Sequence, residues 1–400
     1  MSLDVAAIRA QFPGLAGMTY LDSAATAQKP LAVIERMDQF LRHEYGTVHR
    51  GLYRRSVQST QMYEESRHRI ARFLNAASER EIIYTMGCTD AINLVAWSWG
   101  RKHLKRGDRI LVTGMEHHAN IVPWQITSEI TGAELIACPI LDDGSLDMDA
   151  FDHLLDERVK LVGVTHIANS LGTINPVKDL ARKAHAVGAR ILVDAAQSAP
   201  HMALDVQDLD CDFLVFSGHK VYGPTGIGVL YGKLPVLESM PPWRGGGEMI
   251  DKVSFSGTTF AQPPARFEAG TPPIVEAIGL ATACDWLSAL DFSKIQAAEH
   301  ELFTYAESAL ATIPGLRRFG TAAARSTVLA FLLPNCHAAD ISSLLDMENV
   351  AIRAGHHCAQ PVMTRFGVPA TARATLGIYS TRDDIDQLVL SLHKAARLLG

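Results

Sequence analysis

Lys220 closes the apolar run Phe213–Phe216 through Ser217-Gly218-His219, leads into Val221-Tyr222-Gly223-Pro224-Thr225-Gly226, and has no carboxylate adjacent. A lysine held out of water has a lowered pKa, and its free amine can form a Schiff base with a carbonyl. Snorkelling from a strand end is the plain alternative. Asp194 follows a second apolar run, Ile191–Val193, with Gln197 three residues on. One carboxylate and one Schiff-base lysine are what pyridoxal phosphate demands, since its ring accepts electrons only while the pyridine nitrogen is protonated. Taken alone, Asp194 could equally cap a buried strand. A phosphate needs backbone N–H groups at a helix start. The turn Met86-Gly87-Cys88-Thr89-Asp90 after Ile82–Thr85 offers them, with Ser217 and His219 as further donors. Thr89 could instead be a simple helix cap.

Two histidine pairs stand out, His117-His118 within Glu116–Asn120 and His356-His357 before Cys358. Neither has H-E-x-x-H spacing or a second cysteine nearby, so no metal is expected. His117, at a strand end, could stack on a cofactor ring and move protons near neutral pH. Cys358 lies in a polar stretch after Gly355, close to Arg353, where positive neighbours favour the nucleophilic thiolate; an incidental thiol is the alternative. Arg373, in the uncharged segment Thr371–Thr375, must meet a carboxylate, either a substrate's or an internal one.

These residues need strand ends to hold them. Seven β-branched runs (Ile82–Thr85, Ile110–Thr113, Leu135–Ile140, Leu161–Thr165, Ile191–Val193, Phe213–Phe216, Val229–Tyr231) alternate with helical patterns at Thr89–Trp99, Asn120–Thr131, Met148–Leu155 and Val177–Val187. Such alternation predicts α/β architecture, a mainly parallel sheet with helices on both faces. Ligands of such sheets sit outside the carboxyl ends of the strands. Asn175-Pro176 reads as a helix start and Gly188 as a helix stop. The stretch Pro235–Pro273 is long, irregular and rich in proline and glycine. Beyond it, helices at Ile274–Leu290, Phe303–Ile313 and Asp383–Leu399 with a strand at Thr327–Leu333 predict a smaller α+β unit.

The chain has 400 residues, 48% hydrophobic and 20% charged, with 37 Lys+Arg against 43 Asp+Glu. That excludes disorder and gives no electrostatic footprint for nucleic acid or an anionic membrane. Six dispersed cysteines without a C-x-x-C pair suggest free thiols in a reducing compartment, and no apolar stretch suits a leader or a membrane span. A cytoplasmic protein is expected.

Taken in order, Leu21-Asp22-Ser23-Ala24-Ala25, Glu116–Asn120, Asp194 with Gln197, Ser217–Lys220 with Gly223–Gly226, Phe267-Glu268-Ala269-Gly270-Thr271-Pro272 and Arg353–Cys358 closely resemble the cysteine desulfurases. The Arg-Ala-Gly-His-His-Cys-Ala form resembles their SUF-type (group II) or selenocysteine-lyase-like branch, among fold-type I, class V aminotransferase-like enzymes. The resemblance implies a large pyridoxal-phosphate-binding domain over 15–285 and a small α+β domain from 1–14 and 286–400 that carries the Cys358 loop. It implies that Lys220 bonds the cofactor, Asp194 pairs with the ring nitrogen, Gln197 bonds the ring oxygen and His117 stacks on the ring. Thr89, Cys88, Ser217 and His219 would hold the phosphate, joined by Thr271 from the opposite subunit of a homodimer. Asn169, Arg373 and Ala24 would bind the substrate, L-cysteine or L-selenocysteine. Cys358 would take sulfur as a persulfide and pass it to a SUF-type acceptor protein for iron–sulfur cluster assembly. A selenocysteine lyase or a catalytically idle assembly scaffold is the alternative. Three departures from the family pattern are Cys88, expected to weaken one phosphate bond, Ala195, expected to place a methyl near the cofactor, and Pro273, which removes a backbone donor beside Thr271.

Overall fold

The computed structural model describes residues 3–399. Met1, Ser2 and Gly400, all in segments assigned above to the small domain, lie outside the described residues. Seven strands form the main sheet: β1 (Ile82–Thr85), β2 (Arg109–Thr113), β3 (Glu134–Cys138), β4 (Val159–Thr165), β5 (Arg190–Asp194), β6 (Phe213–Ser217) and β7 (Gly228–Gly232), in the order β1-β7-β6-β5-β4-β2-β3. The run from β6 through β5, β4 and β2 to β3 is parallel, whereas β7 runs antiparallel to both β1 and β6. The central strands are buried on both faces, which is why their sequences are apolar throughout rather than alternating.

A second sheet holds β8 (Arg317–Phe319), β9 (Val328–Leu332), β10 (Arg353–Gly355) and β11 (Thr371–Thr375), all antiparallel, in the order β8-β9-β11-β10. Leu21 joins the core of this sheet, and Thr19–Tyr20 pairs in parallel with Val350–Ala351. The chain just before it touches both units. Phe12 packs edge-on against Tyr222, Trp286 and Tyr379, while Arg9 pairs with Asp384 at 2.9 Å.

Several expected boundaries move for physical reasons. Asn175 does not cap the helix Val177–Ala186; its amide donates to the Thr165 carbonyl and Pro176 takes the cap position. Gly188 does end that helix, at φ 78°, with the Gly188 and Ala189 N–H groups bonded to the His185 and Ala184 carbonyls. The helix read as Phe303–Ile313 spans Phe292–Leu310, because the buried stripe Ile295, Glu299, Phe303, Ala306, Leu310 includes a glutamate that pairs with His201 at 2.8 Å. The long helix Arg54–Phe73 escapes notice for the same reason: its inward face carries Ser56, Ser59, Tyr63, Ser66 and Arg67. The stretch 235–273 is less irregular than expected, holding an exposed hairpin of Ile250–Ser254 and Gly257–Phe260.

Arg67 shows what that polar face is for. Its guanidinium grips Glu268 at 2.7 and 2.9 Å, while Glu268 also accepts from the Tyr84 N–H at 2.7 Å and the Tyr63 hydroxyl at 3.2 Å. Glu268→Ala would strand a buried guanidinium, so a loss of about 3 kcal/mol is expected. Urea unfolding checks this; a change under about 1 kcal/mol at unchanged slope would refute it.

Candidate active site

The carboxyl ends of β2, β4, β5 and β6 open on a cavity of about 270 Å³, closed on its other side by the second sheet and its loops. Ala24, Cys88, Thr89, His117, Asn169, Asp194, Gln197, Ser217, His219, Lys220, Cys358 and Arg373 all line it. Thr271 does not; it is exposed on the chain's surface. Arg353, which the sequence offered only as a positive neighbour of Cys358, also lines the cavity, as do His357 and Thr165, to which the sequence gave no role.

Lys220 ends the short helical turn Gly218–Lys220 after β6. Burial lowers its pKa and so favours the free amine, against the pull of the Asp194 carboxylate. Asp194, the last residue of β5, accepts from the Ala196 N–H at 2.9 Å and from the Cys88 thiol at 3.3 Å. The helix Cys88–Val95 begins after Gly87, with no side chain capping it; Thr89 lies inside the helix and is no cap. The Cys88 N–H donates to Ser217 Oγ at 2.9 Å. Gly87 sits at φ 150°, and a Cβ on Gly228 would lie 2.5 Å from its Cα, so both positions need glycine to bring this turn against β7.

His117 Nδ1 accepts from the Ala119 N–H at 3.0 Å, leaving Nε2 as the protonated nitrogen. Burial, then the neighbouring Lys220 charge, pushes its pKa down to about 4, and burial likewise takes His219 to about 4. Both rings are neutral at pH 7. His117 is therefore suited to stacking on a flat ring as a neutral imidazole. Gln197 donates to the Ala24 carbonyl at 2.9 Å.

The substrate side is cationic. Arg373 is buried on β11, donates to the Asn169 carbonyl at 3.0 Å and meets Asp22 at 3.1 Å, yet its Nε has no partner. Arg353 stands directly opposite it across β10 and β11. Like charges so placed repel, and Asp22 is a single carboxylate against two guanidiniums, so the wall is made for an added anion. The internal partner foreseen for Arg373 thus exists without satisfying it.

The Cys358 loop is tied down on both sides. Asn169 Nδ2 donates to the His357 carbonyl and the His118 N–H to the Cys358 carbonyl, each at 2.7 Å, and His357 Nε2 lies 2.9 Å from Thr371 Oγ1. His357 and Cys358 both sit at φ 54°, a left-handed conformation costly for side-chain-bearing residues.

Two departures have different consequences from those expected. Ala195 is fully buried in the core and, unlike Ala196, does not line the cavity. Pro273 is the cap residue of the helix Ile274–Ser288, where its carbonyl accepts from Ala277 and its missing N–H breaks no helical bond.

The donor set suits pyridoxal phosphate: a desolvated lysine, a buried carboxylate, a neutral imidazole, and hydroxyls beside an uncapped helix start. Fold and site together define a fold-type I pyridoxal-phosphate enzyme. The aminotransferase class-V family model matches residues 19–388. Cysteine desulfurases of Dickeya dadantii and Pectobacterium carotovorum subsp. carotovorum are 53% and 52% identical, covering 98% and 100% of this chain and 97% and 100% of their own. The crystal structure of the cysteine desulfurase CsdA (S-sulfonic acid) from Escherichia coli superposes with a TM-score of 0.94 at 41% identity, covering all of both chains. The apo cysteine desulfurase of Thermococcus onnurineus NA1 gives 0.96 at 36%, covering 100% and 99%. The chain belongs to the cysteine desulfurases of the class-V aminotransferase family. A selenocysteine lyase or an idle scaffold is not favoured by these relatives.

Proposed function

We propose that this cavity converts L-cysteine to L-alanine and leaves the sulfur on Cys358. The observation that carries the reading is that Lys220 and Cys358, from two different sheets, line one cavity whose wall includes the unsatisfied Arg373. Pyridoxal phosphate, when bound, supplies an electron sink that loosens the α-proton and the Cβ–S bond of the amino acid.

The residues divide the remaining work. Lys220 would hold the cofactor and, with its amine free, carry the α-proton. Asp194 would keep the ring nitrogen protonated, Gln197 would bond the ring oxygen and His117 would cover the ring face. Thr89, Ser217 and His219 would hold the phosphate. The Cys88 thiol is directed at Asp194 and its N–H at Ser217 Oγ, so Cys88 would serve the phosphate only through the helix start it opens. Arg373, with Asn169 and Arg353, receives the substrate carboxylate. The Cys358 thiolate then attacks the substrate sulfur: an S–S bond forms, the Cβ–S bond breaks, and its electron pair stays with the carbon skeleton, which departs as alanine after protonation.

Thr271 is supplied to the phosphate of a second copy in a homodimer, a reading supported by its exposure away from its own cavity. The hairpin beside it presents Val253 and Phe255 to solvent. The persulfide passes to an acceptor thiol; the resemblance to the SUF-type branch supports a SUF-type protein in that part. Free, unbridged cysteines support a cytoplasmic setting, and no helix among the described residues is long and apolar enough to cross a membrane.

Incubating the cofactor-loaded protein with L-cysteine and no reductant tests the reading. Alanine and protein-bound persulfide should rise together to one per chain, with the sulfur on the peptide containing Cys358. Alanine without bound sulfur, or sulfur on another cysteine, would sink it. Arg373→Gln should raise KM for L-cysteine about 10- to 100-fold, the loss of one charge-assisted contact. Arg373→Lys should recover part of it, and steady-state kinetics with an unchanged KM would remove Arg373 from the carboxylate site.

A further inference from the structure

His118, His356 and Cys358 each offer a ligand atom, and the three atoms lie within 4.8 Å of one another. We propose that these residues form a site for a thiophilic divalent cation such as Zn²⁺, which caps the sulfur-carrying thiol and holds the enzyme inactive. The capping consequence rests on the role given to Cys358 above; the binding site itself does not.

Backbone hydrogen bonds have arranged the donors. The Gln360 N–H points at His118 Nε2, 3.1 Å away, and the Cys358 N–H at His356 Nδ1, also 3.1 Å. Each ring therefore keeps its lone pair on the nitrogen facing the Cys358 loop and its proton on the other. Both N–H groups lie at the surface and can turn to water when a metal takes the lone pairs. The two imidazoles approach at 5.5 Å between ring centres, and the His118 N–H to Cys358 carbonyl bond at 2.7 Å fixes the two segments together.

Tetrahedral zinc holds nitrogen at about 2.0–2.1 Å and sulfur at about 2.3 Å, so its ligand atoms stand about 3.3–3.6 Å apart. The three atoms, within 4.8 Å of one another, have about 1.5 Å or less to close when a metal binds. His356 is exposed and the other two are half-buried, so an ion can enter from solvent. Arg353 and Arg373 oppose a cation here. The thiolate offsets them: the thiol proton leaves to solvent as the S–metal bond forms. Three protein ligands leave one tetrahedral position open for water or a second thiolate.

The test titrates the cofactor-loaded protein with ZnCl₂ in the absence of cysteine, by calorimetry and by X-ray absorption at the zinc edge. One ion per chain is expected, with one sulfur and two imidazole nitrogens in its shell. His118→Ala and His356→Ala should each weaken binding at least tenfold while the bound cofactor's visible absorbance is kept, which shows the fold intact. Zinc should stop alanine production and a chelator should restore it. No stoichiometric binding, a shell without sulfur, or an affinity indifferent to both histidines overturns the site. Stoichiometric binding with that shell but undiminished alanine production overturns only the reading of Cys358 and its capping.

Discussion

Lys220→Ala is expected to abolish the visible absorbance of the covalently held cofactor and to lower alanine production by about 10³-fold or more, the range lost when a positioned proton carrier is removed. The size of the effect follows from the absence of a substitute. Lys29 also lies part-buried near His219, and burial brings its pKa down to about 8. Its amine, however, donates to the carbonyls of Ala27 at 2.5 Å and His219 at 3.0 Å, so it serves the backbone beneath the site. Lys220→Arg keeps the charge but supplies no free amine, and should fail equally. A small primary amine added to Lys220→Ala should restore part of the proton transfer. Absorbance spectra and alanine assays decide the matter. If Lys220→Ala keeps more than a few per cent of the parent rate, lysine is not the proton carrier.

The parts of this protein legible in its sequence are those where one local rule operates. The central strands are uniformly apolar because they are buried on both faces, so β1, β5 and β6 emerge within a residue of their ends, and with them Asp194, Ser217 and Lys220. Polar residues facing inward hide a helix. Arg54–Phe73 buries Arg67 against Glu268 and escapes notice, and Phe292–Leu310 buries Glu299 against His201, so only its later part, from Phe303, shows the apolar period that marks a core-facing helix. Contacts between distant segments are hidden altogether. Arg353 looked like a positive neighbour of Cys358, and only the pairing of β10 with β11 sets it opposite Arg373. The three atoms of His118, His356 and Cys358 meet because two loops far apart in sequence are bonded backbone to backbone. No spacing motif records such a cluster.

Cys358→Ser should lower desulfuration of L-cysteine by about 100-fold or more while cofactor absorbance stays at the parent level, because attack on sulfur needs a thiolate and a serine hydroxyl does not ionise near neutral pH. The substitution changes one atom on a loop held by the Asn169 and His118 bonds, neither of which uses the Cys358 side chain. No other thiol can take over. Cys88 lines the same cavity, but burial and the adjacent Asp194 carboxylate push its pKa well above the usual thiol range, so it stays protonated. Burial takes Cys138 and Cys211 up to about 12 and raises Cys284 further, and Cys336 is also raised. Cys88→Ser therefore serves as the control: it keeps a donor toward Asp194 and should still build a persulfide on Cys358. Alanine and bound sulfur measured in both variants separate the two cysteines. If Cys358→Ser turns over L-cysteine at the parent rate while Cys88→Ser does not, the sulfur carrier is Cys88, and the loop at φ 54° has some task other than presenting a thiolate.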